Sequence, residues 1–304
     1  MDILSDILRT LHLRAEVFLH ACFRGDWAVD TSGDRRATFH MVSRGGSWLH
    51  MPDSTEPIPL AAGDLVVFPH DARHTLSNRE TPPDKDFPRN QPPAPDAPGP
   101  AVTLICGYFD FERHSWNPLM EALPEVMVIR SDESANVPLM DALGRFMVYE
   151  TEHDLIGGSL LIDKLSEILF IHVIRSHMGQ CRERGFIAAL SDARVGRALS
   201  RMHESPALNW NVERLADAAG MSRSAFAQRF SRLVEMTPMQ YLTRWRMTRA
   251  NELFITTGWS VAQVAEDCGY RSEVAFAKAF KKHFGYGPGQ ARKARKHPED
   301  DVAI

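Results

Sequence analysis

Four residues in the N-terminal half carry side chains suited to metal or redox chemistry: Cys22, His40, His74 and Cys106. Two thiolates with two imidazoles make a donor set suited to tetrahedral zinc. The same thiols, held beside histidine, would equally serve as an oxidant-sensitive switch. No Cys-x-x-Cys pair joins them, so their spacing argues neither for nor against a site. Free cysteines are often small core residues, and that reading stands beside the others, with locally bonded histidines. A cavity for a small organic ligand is a further alternative. Zinc is the one cofactor these residue types raise, and none is specified outright.

A second kind of chemistry, polyanion binding, is written twice near the C-terminus. Residues 216 to 230 read ADAAGMSRSAFAQRF and residues 265 to 280 read AEDCGYRSEVAFAKAF. Val212, Leu215, Ala216 and Gly220 correspond to Val261, Val264, Ala265 and Gly269; after one added residue, Phe226, Phe230 and Pro238 correspond to Phe276, Phe280 and Pro288. Each copy predicts a short helix, a glycine turn that needs positive φ, a serine N-cap at Ser222 or Ser272, and a second helix. Its phenylalanines at i and i+4 anchor one face. That is a helix-turn-helix, twice. Wound at 100° per residue with the phenylalanines inward, the opposite face carries Ser224, Gln228, Ser231 and Arg232 in the first copy. In the second it carries Val274, Lys278, Lys281 and Lys282. Two-helix corners with a glycine also occur in proteins that bind nothing. Repetition at matched spacing, with a polar or basic outer face each time, favours a binding surface.

The charge distribution points the same way. The chain has 304 residues and a formal net charge of −4. Residues 191 to 304 hold 18 Lys+Arg against 12 Asp+Glu, whereas residues 1 to 190 hold 17 against 27. A basic part on an acidic protein is a partner signal for a polyanion. PMQYLTRWRMTRANELFITTG, between the two copies, suits one long helix that sets the distance between them. Arg223, Arg232, Arg246, Arg249, Lys281 and Lys282 are expected to meet phosphates, which position a protein without specifying sequence.

Upstream, ATFHMVS, SWLHMP, EPIPL, GDLVVFP and HTLSN are short apolar runs between turn residues, which predicts strands. Residues 79 to 101 hold eight prolines and predict a mobile loop whose deletion should do little. From about Asp132 the period becomes helical. GGSLLIDKLSEILFIHVIRSHM has more apolar surface (Leu161, Leu165, Ile168, Leu169, His172, Val173) than one stripe needs. It fits a helix paired across a dimer, or equally one buried against its own β domain. His172, His177, Cys181 and Cys268 are given no functional role. The acid-bearing N-terminus lacks the pattern of a signal peptide, and no run reaches the length of a membrane span. A cytoplasmic protein without a membrane partner is expected.

Residues 191 to 297, from DARVGRALSRMHESP to GYRSEVAFAKAFKKHFGYGPGQAR, resemble the DNA-binding domain of AraC/XylS-family transcription regulators, notably in Gly285, Tyr286, Pro288 and Arg292. The resemblance implies base contacts from Ser224 and Gln228 in the first reading helix, and from Glu273, Val274 and Lys278 in the second. Ala227 and Ala277 stand where relatives often place longer side chains. FHMVSRGGSWLHMP and GDLVVFPHDARHTLSN, with Asp71 where a second glycine is usual, make residues 15 to 115 similar to the AraC-type cupin domain, a jelly-roll-like barrel. Cupin metalloenzymes take two close histidines and a glutamate from the first motif. Here His40 is followed by Met41 and Val42 with no glutamate near, so catalysis is not expected.

The expectation is an α+β multi-domain chain. It comprises a cupin-like β-barrel over residues 1–130, a helical linker or dimerisation segment over 131–190, an all-α double helix-turn-helix domain over 191–297, and a tail over 298–304. Its expected partners are double-stranded DNA, a second copy of itself, RNA polymerase and an effector of unknown identity. The rival reading is a cupin metalloenzyme or metal-binding module with an incidental helical domain.

Overall fold

The computed structural model describes residues 3–10, 13–84, 86–91, 96–111, 116–132, 137–153, 155–180 and 185–294. Cys181 and the tail from residue 298 lie outside the described residues. Helix α1 (Ile3–Thr10) is followed by β1 (Arg14–Phe23), β2 (Ala28–Val29), β3 (Ala37–Arg44) and β4 (Gly46–His50). Next come β5 (Ile58–Ala61), β6 (Leu65–Phe68), β7 (Thr75–Ser77) and β8 (Val102–Asp110), then α2 (Pro118–Glu121) and β9 (Met127–Ile129). Helices complete the chain: α3 (Val137–His153), α4 (Gly158–Gln180), α5 (Phe186–Ser191), α6 (Val195–Glu204), α7 (Val212–Ala219), α8 (Arg223–Val234), α9 (Pro238–Thr256), α10 (Val261–Asp267), α11 (Glu273–Phe284) and α12 (Pro288–Ala294).

The chain divides into two units, and the division does not fall at residue 130. One unit comprises residues 13–111 and 123–180; the other takes residues 1–12, 112–122 and 181–304. Burial explains the assignment. The apolar face of α1 (Ile3, Leu4, Ile7) is buried within the helical unit, where α1 packs on α6. Asn117 caps α2, and the preceding Trp116 packs its ring on Tyr241 while its carbonyl accepts a hydrogen bond from the Thr248 hydroxyl at 3.1 Å.

In the sheet unit the expected barrel is two facing sheets rather than one closed ring. The order is β1-β8-β3-β6-β9 in one and β2-β7-β4-β5 in the other. The inner faces meet in a core that includes Ala21, Phe23, Val42, Val66, Phe68, Leu104 and Cys106. The alternate residues of the larger sheet, Phe39, Met41, Leu65, Val67, Ile105 and Phe109, are buried as well. Such strands read as continuous apolar runs because both faces are covered. Helix α4 packs on β1, with Phe170 against Phe109 at 4.8 Å, and buries Leu169, Val173 and Ile174. The same helix leaves Leu160, Leu161 and Ile168 exposed.

Among its described residues, the proline-rich segment that the sequence reads as a mobile loop hydrogen-bonds to the sheet unit. Asn90 lies along the edge strand β2: its amide donates to Ala28 O at 2.9 Å, and its side chain accepts from Asp30 N and donates to Asp30 O. Arg24 reaches Gly99 O at 3.1 Å, and Arg79 pairs with Asp26. Proline removes donors, but a segment with other donors and free carbonyls still covers a short sheet edge, and an unpaired edge is what β proteins avoid.

Candidate nucleic-acid interface and sensor site

The two helix-turn-helix units match bond for bond at their turns. In the first, Met221 N donates to Ala216 O and Gly220 N to Asp217 O; in the second, Tyr270 N donates to Ala265 O and Gly269 N to Glu266 O. Gly220 (φ 63°) and Gly269 (φ 77°) occupy the left-handed region that ends α7 and turns the chain after α10. Ser222 and Ser272 then cap α8 and α11 by accepting from Ala225 N and Ala275 N. Phe226, Phe230, Phe276 and Phe280 are all fully buried. With that face fixed inward, Arg223, Ser224, Gln228 and Arg232 of α8 are exposed, as are Glu273, Val274, Lys278, Lys281 and Lys282 of α11. Helix α9, which joins the units, begins with a capping box between Thr237 and Gln240. Its 19 residues span about 28 Å at helical rise.

Two arginines expected on phosphates are occupied inside the helical unit. Arg246 donates to Pro206 O at 2.8 Å and Leu208 O at 2.9 Å and lies 5.9 Å from the Tyr270 ring centroid. Its burial disfavours the charged form. Arg249 pairs with Asp267 at 2.7 Å. Both braces start from α9, one reaching the chain before α7 and the other the end of α10. A basic residue on a connecting helix therefore reads like a phosphate contact in sequence but spends its guanidinium on the fold. Arg229 does the same, with both its Nε and a terminal nitrogen donating to Asp192. Conversely, Arg271 is exposed beside the cap of α11 and was not singled out; a basic residue immediately before an N-cap serine was the available signal.

In the sheet unit, His40 and His74 do meet. Their Nε2 atoms are 2.9 Å apart, and the Thr31 hydroxyl lies 3.1 Å from one and 3.3 Å from the other. Burial holds both imidazoles to the neutral form, His40 most strongly. The thiols do not join them as a set. Cys106 sits opposite His40 in the ladder and belongs to the inner core, where burial pushes its thiol up. Cys22 falls between the inward-facing Ala21 and Phe23, so the period of two sends it to the other face, where it is exposed. Both are free thiols, and among the described residues no group of three metal-donor side chains converges. The residues present therefore do not fit the four-ligand zinc site, because strand alternation separates Cys22 from the histidines. Cys268 is buried beside the second turn, its thiol pushed up to about 12.

Asp71 has an unusual place for a non-glycine residue. It adopts φ 59°, and its carboxylate accepts from Gly33 N at 3.0 Å and from Arg35 N. Aspartate tolerates the left-handed region better than most residues, and here its side chain anchors the loop between β2 and β3.

A sandwich of two sheets in one chain with a pair of braced helix-turn-helix units and exposed basic helices defines a DNA-binding regulator with a sensory domain. The cupin family model matches residues 2–179, and a helix-turn-helix domain model matches residues 215–294. A putative AraC-like transcription regulator of Streptomyces lividans is 34% identical, covering 98% of this chain and 99% of that one. The HTH-type transcriptional regulator AlkR of Acinetobacter baylyi is 30% identical over 96% of this chain and 99% of its own length. Among solved structures, the DNA-binding domain of AdpA in complex with a target DNA is 33% identical, covering 36% of this chain and 98% of that one, with a TM-score of 0.34. The chain belongs to the AraC-type transcription regulators, with an N-terminal cupin domain. It is a regulator rather than an enzyme, and no described helix is long and apolar enough to cross a membrane.

Proposed function

We propose that α8 and α11 read adjacent major grooves of one duplex, Ser224, Gln228, Glu273, Val274 and Lys278 facing bases and Arg223, Arg232, Lys281 and Lys282 facing phosphates. The matched, outward faces of the two second helices carry this reading. A helix of about 28 Å suits reading elements one DNA turn, roughly 34 Å, apart. Lys281→Ala with Lys282→Ala is expected to weaken all sequences alike and to flatten the plot of log K against log salt by nearly two units, since each phosphate contact contributes about 0.9. Lys278→Ala should instead narrow the gap between specific and non-specific DNA by roughly 1–3 kcal/mol. Fluorescence anisotropy across a salt series measures both; a Lys278→Ala protein with unchanged selectivity removes that residue from base reading.

The working form is a homodimer in the cytoplasm. Phe146 and Tyr149 on α3, and Leu160, Leu161 and Ile168 on α4, are exposed apolar side chains on two helices of one unit that pack on each other, and exposed apolar area supports an association surface. Ile168→Glu is expected to shift the sheet-unit dimer to monomer in sedimentation velocity without lowering the thermal midpoint. A wild-type monomer at micromolar concentration would remove the assignment. An effector in the sheet unit shifts the population of dimer geometries, and RNA polymerase is the partner through which the change reaches transcription.

A further inference from the structure

Residues 222–230 and 272–280 are one frame used twice. Ser222, Ala225, Phe226, Ala227 and Phe230 recur as Ser272, Ala275, Phe276, Ala277 and Phe280, and burial agrees position by position along both stretches. Four pairs differ. Arg229 is drawn to Asp192, where Ala279 stands in the second unit. The three that remain, Arg223 with Glu273, Ser224 with Val274 and Gln228 with Lys278, are exposed in both copies. They sit toward the N-terminal ends of α8 and α11, the ends by which recognition helices meet base edges. Within this frame, a difference in what the two helices recognise is carried by these three pairs. Among the described residues, the side chains of Arg223, Ser224, Gln228, Glu273 and Lys278 bond to nothing within the chain, unlike the braced Arg229, Arg246 and Arg249.

Each pair differs in what it donates and accepts. Gln228 holds a donor and an acceptor side by side and matches adenine N6 and N7, whereas Lys278 only donates and matches guanine O6 and N7. The Glu273 carboxylate only accepts. Its match in the major groove is the cytosine N4 amine, and it repels both the acceptor edge of guanine and the phosphates. Arg223, at the equivalent position, is attracted to those phosphates. Val274 is 65% exposed and apolar, which suits a thymine methyl, while Ser224 discriminates little. Val274 and Lys278 lie four residues apart, about 6 Å along the helix, so their bases fall within about two base pairs of each other. Resting on the reading of α8 and α11 as groove readers, we propose that the target is two unlike segments one DNA turn apart. Gln228 of α8 reads an adenine in one; Glu273 and Lys278 of α11 read a cytosine and a guanine in the other. Glu273 is a specificity determinant that acts chiefly by rejection, lowering affinity for all other DNA.

The test is selection by the full chain from a pool of randomised duplexes, with the bound pool sequenced. Two enriched blocks of different base content are expected, their centres roughly 10 base pairs apart. Gln228→Lys places in α8 the residue that α11 carries at the equivalent position; it should convert one adenine of the first block to guanine and leave the second block unchanged. Glu273→Gln should exchange the cytosine of the second block for adenine. In anisotropy, each change should weaken the wild-type target about tenfold or more, and Glu273→Gln should tighten non-cognate duplex. Thermal midpoints separate reading from folding. If Glu273 serves only to complement the dipole of α11, Glu273→Gln lowers the midpoint and leaves the selected bases as they are, which overturns its role. Two blocks of the same base content, or a Gln228→Lys protein that still selects adenine, overturn the base assignment alone. A bound pool with no enriched block overturns the groove reading on which that assignment rests.

Discussion

Gly269→Ala is expected to destabilise the helical unit by about 2–4 kcal/mol and to remove high-affinity DNA binding, whereas Gly220→Ala, at the equivalent turn, should cost only about 1 kcal/mol. Both glycines have positive φ, so both substitutions carry the left-handed backbone cost. Their surroundings differ. A Cβ on Gly269 would lie 2.6 Å from Ala207 O, 2.8 Å from Ala207 Cα and 2.9 Å from an Arg246 terminal nitrogen; one on Gly220 would meet only an Arg197 terminal nitrogen at 3.6 Å. Backbone at 2.6 Å has no flexible end to move aside, so the segment before α7 or the second turn must shift. Arg246 is displaced with it, and its bonds to Pro206 and Leu208 are what tie α9 to that segment. Chemical denaturation followed by circular dichroism measures the difference. Equal costs for the two alanines would show that the close approach of Ala207 to the second turn does not constrain it.

A second large effect is acid sensitivity originating in His203. The ring stacks on Trp245 with centroids 3.6 Å apart and hydrogen-bonds the Tyr241 hydroxyl at 2.7 Å. Burial lowers its pKa from 6.5 to about 3. The folded pKa is depressed, so the unfolded chain takes up a proton that the folded chain refuses. Stability is undiminished above the unfolded value of 6.5 and falls as pH drops from there toward 3. The slope is about 1.4 kcal/mol per pH unit, or about 2 kcal/mol lost between pH 6.5 and pH 5. His203→Gln should lower stability at neutral pH but flatten this slope for the helical unit. Urea midpoints at pH 7, 6 and 5 decide it: a variant with the wild-type slope would assign the acid sensitivity to other groups. The buried, neutral His40 and His74 act with the same sign in the sheet unit.

The helical unit was the more legible half of this protein. Its turns and caps depend on residues within five positions of one another, so Ser222, Gly220, Ser272 and Gly269 declare themselves in the chain. The spacing of Phe226, Phe230, Phe276 and Phe280 fixes which face turns outward. Arg246 and Arg249 find partners 40 and 18 positions away, a separation that helical periodicity does not report. The sheet unit was legible as strands but not as a site. His40 and His74 do converge, across 34 positions, whereas Cys22 turns away, because a shift of one position along a strand reverses the face.

By itself, then, the sequence determined the local grammar: two helix-turn-helix units, their basic outer faces, the strand-rich front half and the acid–base split between the two. These follow from propensities, caps and periodicities that act over one or two turns of chain. Tertiary structure alone decided that Arg246 and Arg249 are braced inside the helical unit, that Asn90 of the proline-rich segment pairs along the β2 edge, and that the β1–β8 ladder shifts register at Phe18. Each of those depends on which distant backbone or side chain arrives alongside, and that is set by sheet register and packing between elements, which single-residue chemistry does not encode.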